Sequence, residues 1–296
     1  MFWQIFTYEL KYKFSRLSTY IYWLVLFFFM FLIISALGGN IENISVSVGG
    51  LGGKVNINSP YLIHLFSFSF SYIGMILLPA TIGTSIYKDF KNNTHSILFS
   101  YPINKWGYLG GRFLGALLPT FFIFTGIIFG FMLAIQMPWI DQDSLGPFSI
   151  AAYIHPYLSM IVTNILISGL LIFALAALTR DLLATYLGCI IIIVLYGIGG
   201  SLMSDINNQA IAAIVDPLGS AAFENITKYW TVSEKNTQLL PISMHFIANR
   251  LSWLAIAGAV FAIAYRKFQF TQNVFTLKIK KASRTLLAQI QPVFKY

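Results

Sequence analysis

Charged side chains are scarce in this chain, and their scarcity points to its class. Only 10% of the 296 residues are Asp, Glu, Lys or Arg, whereas soluble domains carry about 25%. Hydrophobic residues make up 57%, and the mean hydropathy is +0.73. So few charges could not cover the surface of a soluble globule of 33.3 kDa. The composition therefore predicts an integral membrane protein whose apolar surface faces lipid.

Cysteine and the common catalytic motifs are also scarce. Cys189 is the one cysteine, so neither a disulfide framework nor a cysteine-based metal site can form within one chain. The HExxH motif of zinc peptidases does not occur. The stretch from Gly49 to Lys54 departs twice from the phosphate-loop pattern, at Val48 and Val55. We therefore expect no cofactor, no metal and no catalytic residue in this chain.

Six apolar runs are long enough to cross a bilayer, which takes about 20 mostly apolar residues. The predicted spans are 20–37, 61–86, 113–135, 151–178, 182–203 and 245–265. Pro79 and several serines predict a kinked or broken second span. The first run is longer than the core of a signal peptide, which favours an uncleaved anchor over a cleaved signal. The predicted fold class is an all-α membrane protein with six transmembrane helices.

Positive charge is distributed unevenly among the predicted loops. With the N-terminus placed inside, the Lys and Arg residues that fall outside are Lys54, Lys228, Lys235 and Arg250, out of 19. Cytoplasmic loops carry such an excess of Lys and Arg. This pattern predicts that both termini are cytoplasmic, and it explains the basic balance without nucleic-acid binding. The predicted outer segments are 38–60, 136–150 and 204–244, and a basic tail follows at 266–296.

The N-terminal residues 1–16 allow two interpretations. They form either an interfacial helix, with aromatic residues on one side, or an aromatic and basic flank that anchors the first span. Glu9 and Lys13 have the spacing of an i,i+4 ion pair. The outer stretch 38–59 alternates apolar and polar residues around glycines and predicts a small hairpin. Ser59 and Pro60 are expected to open the second span as N-cap and first helical residue.

The connection 87–112 is too long for a turn and too polar for a span. A short helix is expected at 92–100, because Pro102 disfavours helical backbone at the residue before it. The apolar residues 97–99 on this helix would face the underside of the membrane or a partner protein. A basic loop that only enforces the orientation is the plainer alternative.

This connection resembles the corresponding loop of permease subunits in ABC type-2 exporters. That loop carries an acid, a Thr, Leu-x-x-Pro, a small polar residue, a Lys or Arg, and then Gly-Lys/Arg entering the third span. The matching positions are Asp89, Thr94, Leu98 or Phe99, Pro102, Asn104, Lys105, Gly111 and Arg112. Because the six-span layout agrees, the resemblance covers nearly the whole chain. It implies that 87–112 is a coupling loop seated in a groove of a cytosolic ATP-binding cassette ATPase, with the N-terminal helix at the same contact.

The outer segment 204–244 resembles the permease portion of Bacteroidetes-type proteins in which such spans are fused to a zinc aminopeptidase. The resemblance lies in residues 216–224, 229–231 and 234–236. Short interfacial helices are expected there, the first capped by Asp216 and the second by Thr231 or Ser233, and they are favoured over a substrate gate. The resemblance implies a multi-pass protein of a bacterial inner (plasma) membrane. No peptidase site is carried over, because HExxH is missing.

The span interiors are expected to be free of charged groups. No Asp, Glu, Lys or Arg is expected between the span ends, which argues against a secondary transporter. The histidines are expected to be interfacial and unrelated to one another. Asn164 is expected to hold helices together rather than to lie on a substrate path. The glycine pairs of the third span would permit close helix approach; they are Gly111, Gly115, Gly126 and Gly130.

These patterns predict the transmembrane permease subunit of an ABC type-2 transporter without an ATPase of its own. Partner ATPase subunits and a second permease half, either another copy or a similar chain, would complete it. The nearly charge-free interior fits a hydrophobic or amphipathic substrate, and the direction of transport stays open. The alternative is a non-transporting membrane anchor or scaffold for an associated or fused peptidase. An intramembrane enzyme is disfavoured, because the spans offer no nucleophile–base pair.

Overall fold

A computed structural model describes residues 1–39, 55–203 and 209–270. These ranges are helical over most of their length, and β-structure in them is confined to an isolated bridge between Gly39 and Ile140. The predicted hairpin at 38–59 and the basic tail lie largely outside the described residues.

Thirteen α-helices occur in the described ranges. In chain order they are α1 Phe2–Phe14, α2 Leu17–Gly38, α3 Pro60–Gly74, α4 Thr84–Lys91, α5 His95–Leu98, α6 Lys105–Ala134, α7 Ile150–Pro156, α8 Thr163–Thr179, α9 Leu182–Leu202, α10 Gln209–Val215, α11 Ser220–Thr227, α12 Val232–Thr237 and α13 Met244–Lys267. A 3-10 turn and a π-helical turn, Met75–Leu77 and Pro79–Gly83, connect α3 to α4. A second π-helical turn, Tyr157–Val162, connects α7 to α8.

Six helical segments of the described residues are long and apolar enough to cross a membrane. They are Leu17–Gly38, Pro60–Leu77, Lys105–Ala134, Ile150–Thr179, Leu182–Leu202 and Met244–Lys267. Each overlaps one predicted span, so the predicted count is confirmed. The third segment begins at Lys105 rather than at residue 113, because the Asn104 side chain caps it by accepting from the Gly107 N–H at 2.6 Å. The predicted loop 87–112 is therefore mostly helical, and Arg112 lies within α6.

Prolines interrupt the second and fourth segments. The predicted break at Pro79 is confirmed, because a π-helical turn begins at that residue. A similar turn follows Pro156, which the sequence analysis did not predict. Proline lacks an N–H and clashes with the preceding turn, so it shifts the helical hydrogen bonds. The chain nevertheless stays helical through both turns and continues into α4 and α8.

Glycines on α6 allow two neighbouring helices to approach closely. A Cβ added to Gly115 would lie 2.7 Å from the Cβ of Glu9 on α1, and one added to Gly126 would lie 2.6 Å from the carbonyl oxygen of Trp23 on α2. Gly111 and Gly130 face the same two helices. Both glycine pairs therefore act as the sequence predicted, and α1 packs on the bundle together with the spans.

Large apolar side chains fill the interior and also cover the outside of the bundle. The fully buried ones include Met30, Ile34, Phe124, Phe131 and Phe173. The exposed ones cluster on the spans, especially on α2 and α9, and include Phe28, Leu32, Leu187 and Ile191. An apolar exterior of this kind is stable in lipid and unstable in water.

Candidate functional site

Charged and polar side chains from α1, α4 and α6 meet at one end of the bundle. We call this group the charge cluster; its members are Glu9, Lys13, Lys88, Asp89, Tyr108 and Arg112. All of them except Lys88 are buried. Buried charges are tolerated only when they are paired and hydrogen-bonded. The pairing within this group therefore determines how the three helices fit together.

Glu9 is the centre of the charge cluster and is 0% exposed. Its carboxylate accepts hydrogen bonds from the Lys88 Nζ at 2.8 and 3.0 Å and from the Arg112 Nη1. The Nζ of Lys13 lies 4.0 Å away, so the predicted i,i+4 pair is confirmed. Burial alone would raise the pKa of Glu9, but Arg112, Lys88 and Lys13 together lower this pKa below its ordinary value. Glu9 therefore stays ionised and joins α1 to α4 and α6.

Asp89 is the second carboxylate of the charge cluster. The Arg112 Nη2 lies 2.9 and 2.8 Å from its two oxygens, and the Tyr108 hydroxyl donates to it at 2.8 Å. Its backbone carbonyl lies 3.2 Å from the His95 Nδ1 in α5. Burial raises the pKa of Asp89, although Arg112 and Tyr108 act in the opposite direction. Asp89 therefore connects the start of the short helix α5 to α6.

Lys13 reaches from α1 to the interrupted second span. Its Nζ donates to the carbonyl of Thr81 at 2.5 Å and to the Thr84 hydroxyl at 2.9 Å. Thr81 belongs to the π-helical turn, a feature that is common at functional sites. Burial lowers the pKa of Lys13 to about 8, opposed by Glu9 and assisted by Lys88 and Arg112.

The other residues of the predicted coupling loop take different positions. Thr94 is exposed and donates to the Asp89 carbonyl at 3.3 Å. Pro102 is exposed, and Lys105 is half-buried as the first residue of α6. The helix in this loop is shorter than the predicted 92–100 and spans only His95–Leu98.

The apolar residues 97–99 differ in exposure. Phe99 is half-buried, and its contact with a partner or the membrane stays a prediction. The Phe99 ring packs against Tyr108, Phe268 and Phe270 at centroid distances of 5.6, 6.5 and 4.8 Å. Leu98 is half-buried against the core, whereas Ile97 is 69% exposed.

A groove of about 400 Å³ runs between α1 and α5, with the charge cluster at its floor. We call it the α1–α5 groove; it is lined by Gln4, Ile5, Tyr8, Thr94, Ile97, Leu98 and Tyr101, with Asp89 and Arg112 beneath. Tyr8, Ile97 and Tyr101 are exposed. A mostly apolar groove on a framework of paired charges is suited to holding a protein partner.

Arg250 contradicts the expectation that the spans contain no ionisable residue between their ends. It lies one turn inside α13 and is 7% exposed. Its Nη1 donates to the Asn164 Oδ1 at 2.7 Å, and its Nη2 donates to the Leu218 carbonyl at 2.6 Å. Asn164 also reaches the Ser71 hydroxyl at 3.4 Å. These contacts fit the expected role of Asn164 in holding helices together.

The short helices α10, α11 and α12 cover the end of the bundle opposite the charge cluster. The Asn249 side-chain amide on α13 donates to the Asp216 carbonyl at 2.7 Å. The Asp216 carboxylate accepts a hydrogen bond from the backbone N–H of Ala221 at 2.9 Å. The helix begins at Ser220 rather than directly after Asp216. The predicted cap at Thr231 is confirmed, as part of a reciprocal pair with Glu234.

Two histidines predicted to be unrelated lie side by side. The rings of His64 and His155 are 5.3 Å apart, and His64 is buried and stacked on Phe223 at 5.4 Å. His64 lies near the start of α3, as predicted, and its ring is buried within the protein. No group of three or more His, Cys, Asp or Glu residues suited to a metal ion occurs within residues 1–39, 55–203 and 209–270.

The fold and the site define a class of protein: a helical chain with six segments able to span a membrane and with a buried charge cluster at one end. Comparison with known protein families, with curated proteins and with solved structures finds no match to this chain. The function therefore has to be inferred from the geometry and from the residues themselves.

Proposed function

We propose that this chain is the transmembrane permease subunit of an ABC type-2 transporter and that a cytosolic ATPase docks in the α1–α5 groove. The observation that carries this proposal is that α1 and the loop between α4 and α6 form one groove. The resemblance of the loop 87–112 to the exporter loops implies such a shared surface. A loop that served only to orient the spans would not need the buried charge cluster that lies beneath this groove.

The surface of the α1–α5 groove supports a protein partner. Ile97 and Tyr101 are exposed although they lie outside the spans and cannot be covered by the core of a bilayer. Exposed apolar and aromatic side chains next to buried charges are typical of protein interfaces.

The charge cluster offers a route from the groove to the spans. A displacement of α5 would pull on Asp89, and Asp89 is paired with Arg112 of α6. Glu9 adds α1 to the same connected group. Since these contacts are buried, they act as a mechanical link rather than as separate surface bonds. Hydrolysis in the ATPase would reach the spans in this way.

The proposed orientation puts the charge cluster in the cytoplasm of a bacterial cell, because this end carries most of the Lys and Arg residues. One chain provides six spans, and the translocation path would form between two such halves, in a homodimer or with a similar chain. The apolar spans suit a hydrophobic or amphipathic substrate.

The test is co-purification of an ABC ATPase, recognised by its ATP hydrolysis, with the chain from native membranes. The double variant Ile97→Ser with Tyr101→Ser should lose about 1.5–3 kcal/mol of hydrophobic binding free energy for each side chain. Each loss corresponds to an affinity that is about tenfold or more weaker. The control, Ile242→Ser with Tyr229→Ser, changes equally exposed side chains that lie far from the groove. We expect loss of the ATPase only in the first variant.

Two outcomes would contradict the proposal. One is that the unaltered chain retains no ATPase, and the other is that both double variants retain it equally. Retention of a peptidase in place of an ATPase would support the alternative of a membrane anchor or scaffold. Folding of each variant is checked by its melting temperature in detergent.

A further inference from the structure

A cavity of about 350 Å³ lies between the end of α1, the start of α2 and the helix α4. We call it the basic cavity. Its size falls in the range of about 300–1,000 Å³ that small-molecule sites occupy. Four of its lining residues are cations and none is an acid; the cations are Lys13, Arg16, Lys88 and Lys91.

The positive charge of the basic cavity is only partly balanced. Glu9 lies behind Lys13 and Lys88, but it also pairs with Arg112. Within the described ranges neither Arg16 nor Lys91 forms an ion pair, and both are exposed. The cavity therefore keeps a net positive charge that an anion would neutralise.

Hydroxyl groups and aromatic rings line the cavity beside these cations. Ser18 and Tyr87 add hydroxyl groups, whereas the hydroxyls of Thr19 and Thr84 already donate to the carbonyls of Lys13 and Ala80. The Tyr12 ring lies under the Lys88 Nζ at 3.8 Å and under the Arg16 guanidinium at 4.6 Å, and so it holds both cations in place. Cations together with hydroxyl donors are the groups that bind phosphate oxygens.

The position of the basic cavity suggests where its ligand comes from. Membrane-spanning helices begin directly beside it, α2 at Leu17 and α9 at Leu182, and Leu182 itself lines the cavity. The cavity therefore opens at the level where spans leave the hydrocarbon region, which is the level of lipid headgroups. Tyrosines such as Tyr12 and Tyr22 are the residues expected at this depth.

We propose that the basic cavity binds the phosphodiester of an anionic phospholipid headgroup. The lipid phosphate would bridge Arg16, the N-cap residue of α2, and Lys91 at the end of α4, while the acyl chains lie along the apolar start of α2. Free inorganic phosphate shares the same chemistry, and the experiment separates the two sources. This inference is independent of the proposed transport function.

The test measures lipid binding to the detergent-solubilised full chain by native mass spectrometry. Phosphatidylglycerol is the anionic probe and phosphatidylcholine the zwitterionic one. The double variant Arg16→Gln with Lys91→Gln should bind phosphatidylglycerol at least tenfold more weakly, and Arg16→Lys should retain most of the affinity. The matched control, Lys11→Gln with Lys267→Gln, removes the same charge from exposed positions outside the cavity and should bind like the unaltered chain.

Three results would overturn the proposal. The first is an equal loss of affinity in the two double variants, and the second is equal binding of phosphatidylcholine and phosphatidylglycerol. The third is displacement of phosphatidylglycerol by inorganic phosphate at equal concentration, which would assign the cavity to free phosphate. The altered residues are exposed, so unchanged melting temperatures are expected and confirm that a loss of binding is local.

Discussion

Glu9 and Arg112 form an ion pair inside the protein although 103 positions separate them in the chain. The carboxylate comes from α1 and the guanidinium from the second turn of α6. The pair can exist only when α1 lies against α6, so the N-terminal residues are a packed helix rather than a loose flank of the first span. Of the two interpretations of residues 1–16, the structure supports a helix of its own.

Replacing Glu9 with Gln should strongly destabilise the protein. The change leaves three cations, Lys13, Lys88 and Arg112, without their shared carboxylate. Breaking a buried pair in this way typically costs about 3–5 kcal/mol. Denaturant titration of the purified chain in detergent measures the loss. The exposed acid Asp143 provides the control, since Asp143→Asn should change the unfolding free energy by less than about 0.5 kcal/mol. Equal effects of the two changes would contradict the assigned pairing.

Gly126→Ala should push α2 away from α6. The added methyl group would lie 2.6 Å from the Trp23 carbonyl oxygen and cannot be accommodated without a backbone shift. Overpacking of this kind costs about 1–3 kcal/mol. Gly258→Ala is the matched control on α13, where a Cβ meets nothing within 4 Å. Helix propensity predicts that the control is neutral or slightly stabilising. Relative to the unaltered chain, the melting temperature should fall clearly for Gly126→Ala and should stay the same or rise slightly for Gly258→Ala.

Asn164→Ala should cost about 1.5–3 kcal/mol, because it removes the acceptor of a buried guanidinium. This is more than the average of about 0.6 kcal/mol for hydrogen bonds between membrane helices. In an Arg250→Met background the same change should cost less, since the cation is then gone. A double-mutant cycle of unfolding free energies gives the comparison. Equal costs in both backgrounds would show that the pair is not coupled. Transport per folded molecule should be unchanged by Asn164→Ala.

Phosphatidylglycerol binding to the basic cavity should weaken as the pH rises from 7 to 9. Burial lowers the pKa of Lys13 from its ordinary 10.5 to about 8, so this lysine loses its charge within that interval. The charged groups that face it are Glu9 on α1, Arg16 between α1 and α2, Lys88 on α4 and Arg112 on α6.

The control for this prediction is Lys13→Met. It should bind more weakly than the unaltered chain at pH 7 and should show little further change up to pH 9, because the phosphodiester keeps its charge throughout. A pH profile that is the same with and without Lys13 would contradict the assignment of the titration to this residue.

The orientation can be tested with two single cysteines in a Cys189→Ser background. Gln142 and Ser96 are both exposed and lie in connections at opposite ends of the bundle. An impermeant thiol reagent added to intact cells should label the Gln142→Cys variant, and it should label the Ser96→Cys variant only after permeabilisation. Labelling of Ser96→Cys from outside would reverse the proposed orientation and remove the α1–α5 groove from the reach of a cytosolic ATPase.

The sequence predicted the six spans because each is a continuous apolar run, and the physical requirement of a bilayer is local in the chain. The start of α6 was placed too late, since Lys105 to Arg112 is too polar to count as a span. Asn104 was a usable signal there, because Asn is a preferred N-cap residue. Hydropathy thus finds the part of a helix inside the lipid and misses its extension into water.

The pairing of side chains over long distances was not predictable from local patterns. Glu9 and Lys13 were recognised as a pair because they are four residues apart, whereas the contact of Glu9 with Arg112 has no local sign. In the same way Arg250 was assigned to the outer side of the membrane. Only the fold reveals that Asn164, 86 positions away in the chain, accepts its hydrogen bond. The packing of the half-buried Phe99 ring against Phe270 likewise has no local sign in the sequence.

Glu9 precedes Lys88 and Arg112 in the chain, and this order has a consequence for assembly. A ribosome adds Glu9 to the chain 79 positions before Lys88 and 103 positions before Arg112. Until those cations exist, the carboxylate needs water, so α1 must wait at the membrane surface while the first three spans insert. α1 therefore reaches its final place only after α6 has been made, and it then closes the end of the bundle that holds the charge cluster. A chain that lacks residues 1–16 should still insert its spans into the membrane, but the charge-cluster end of the bundle should stay open.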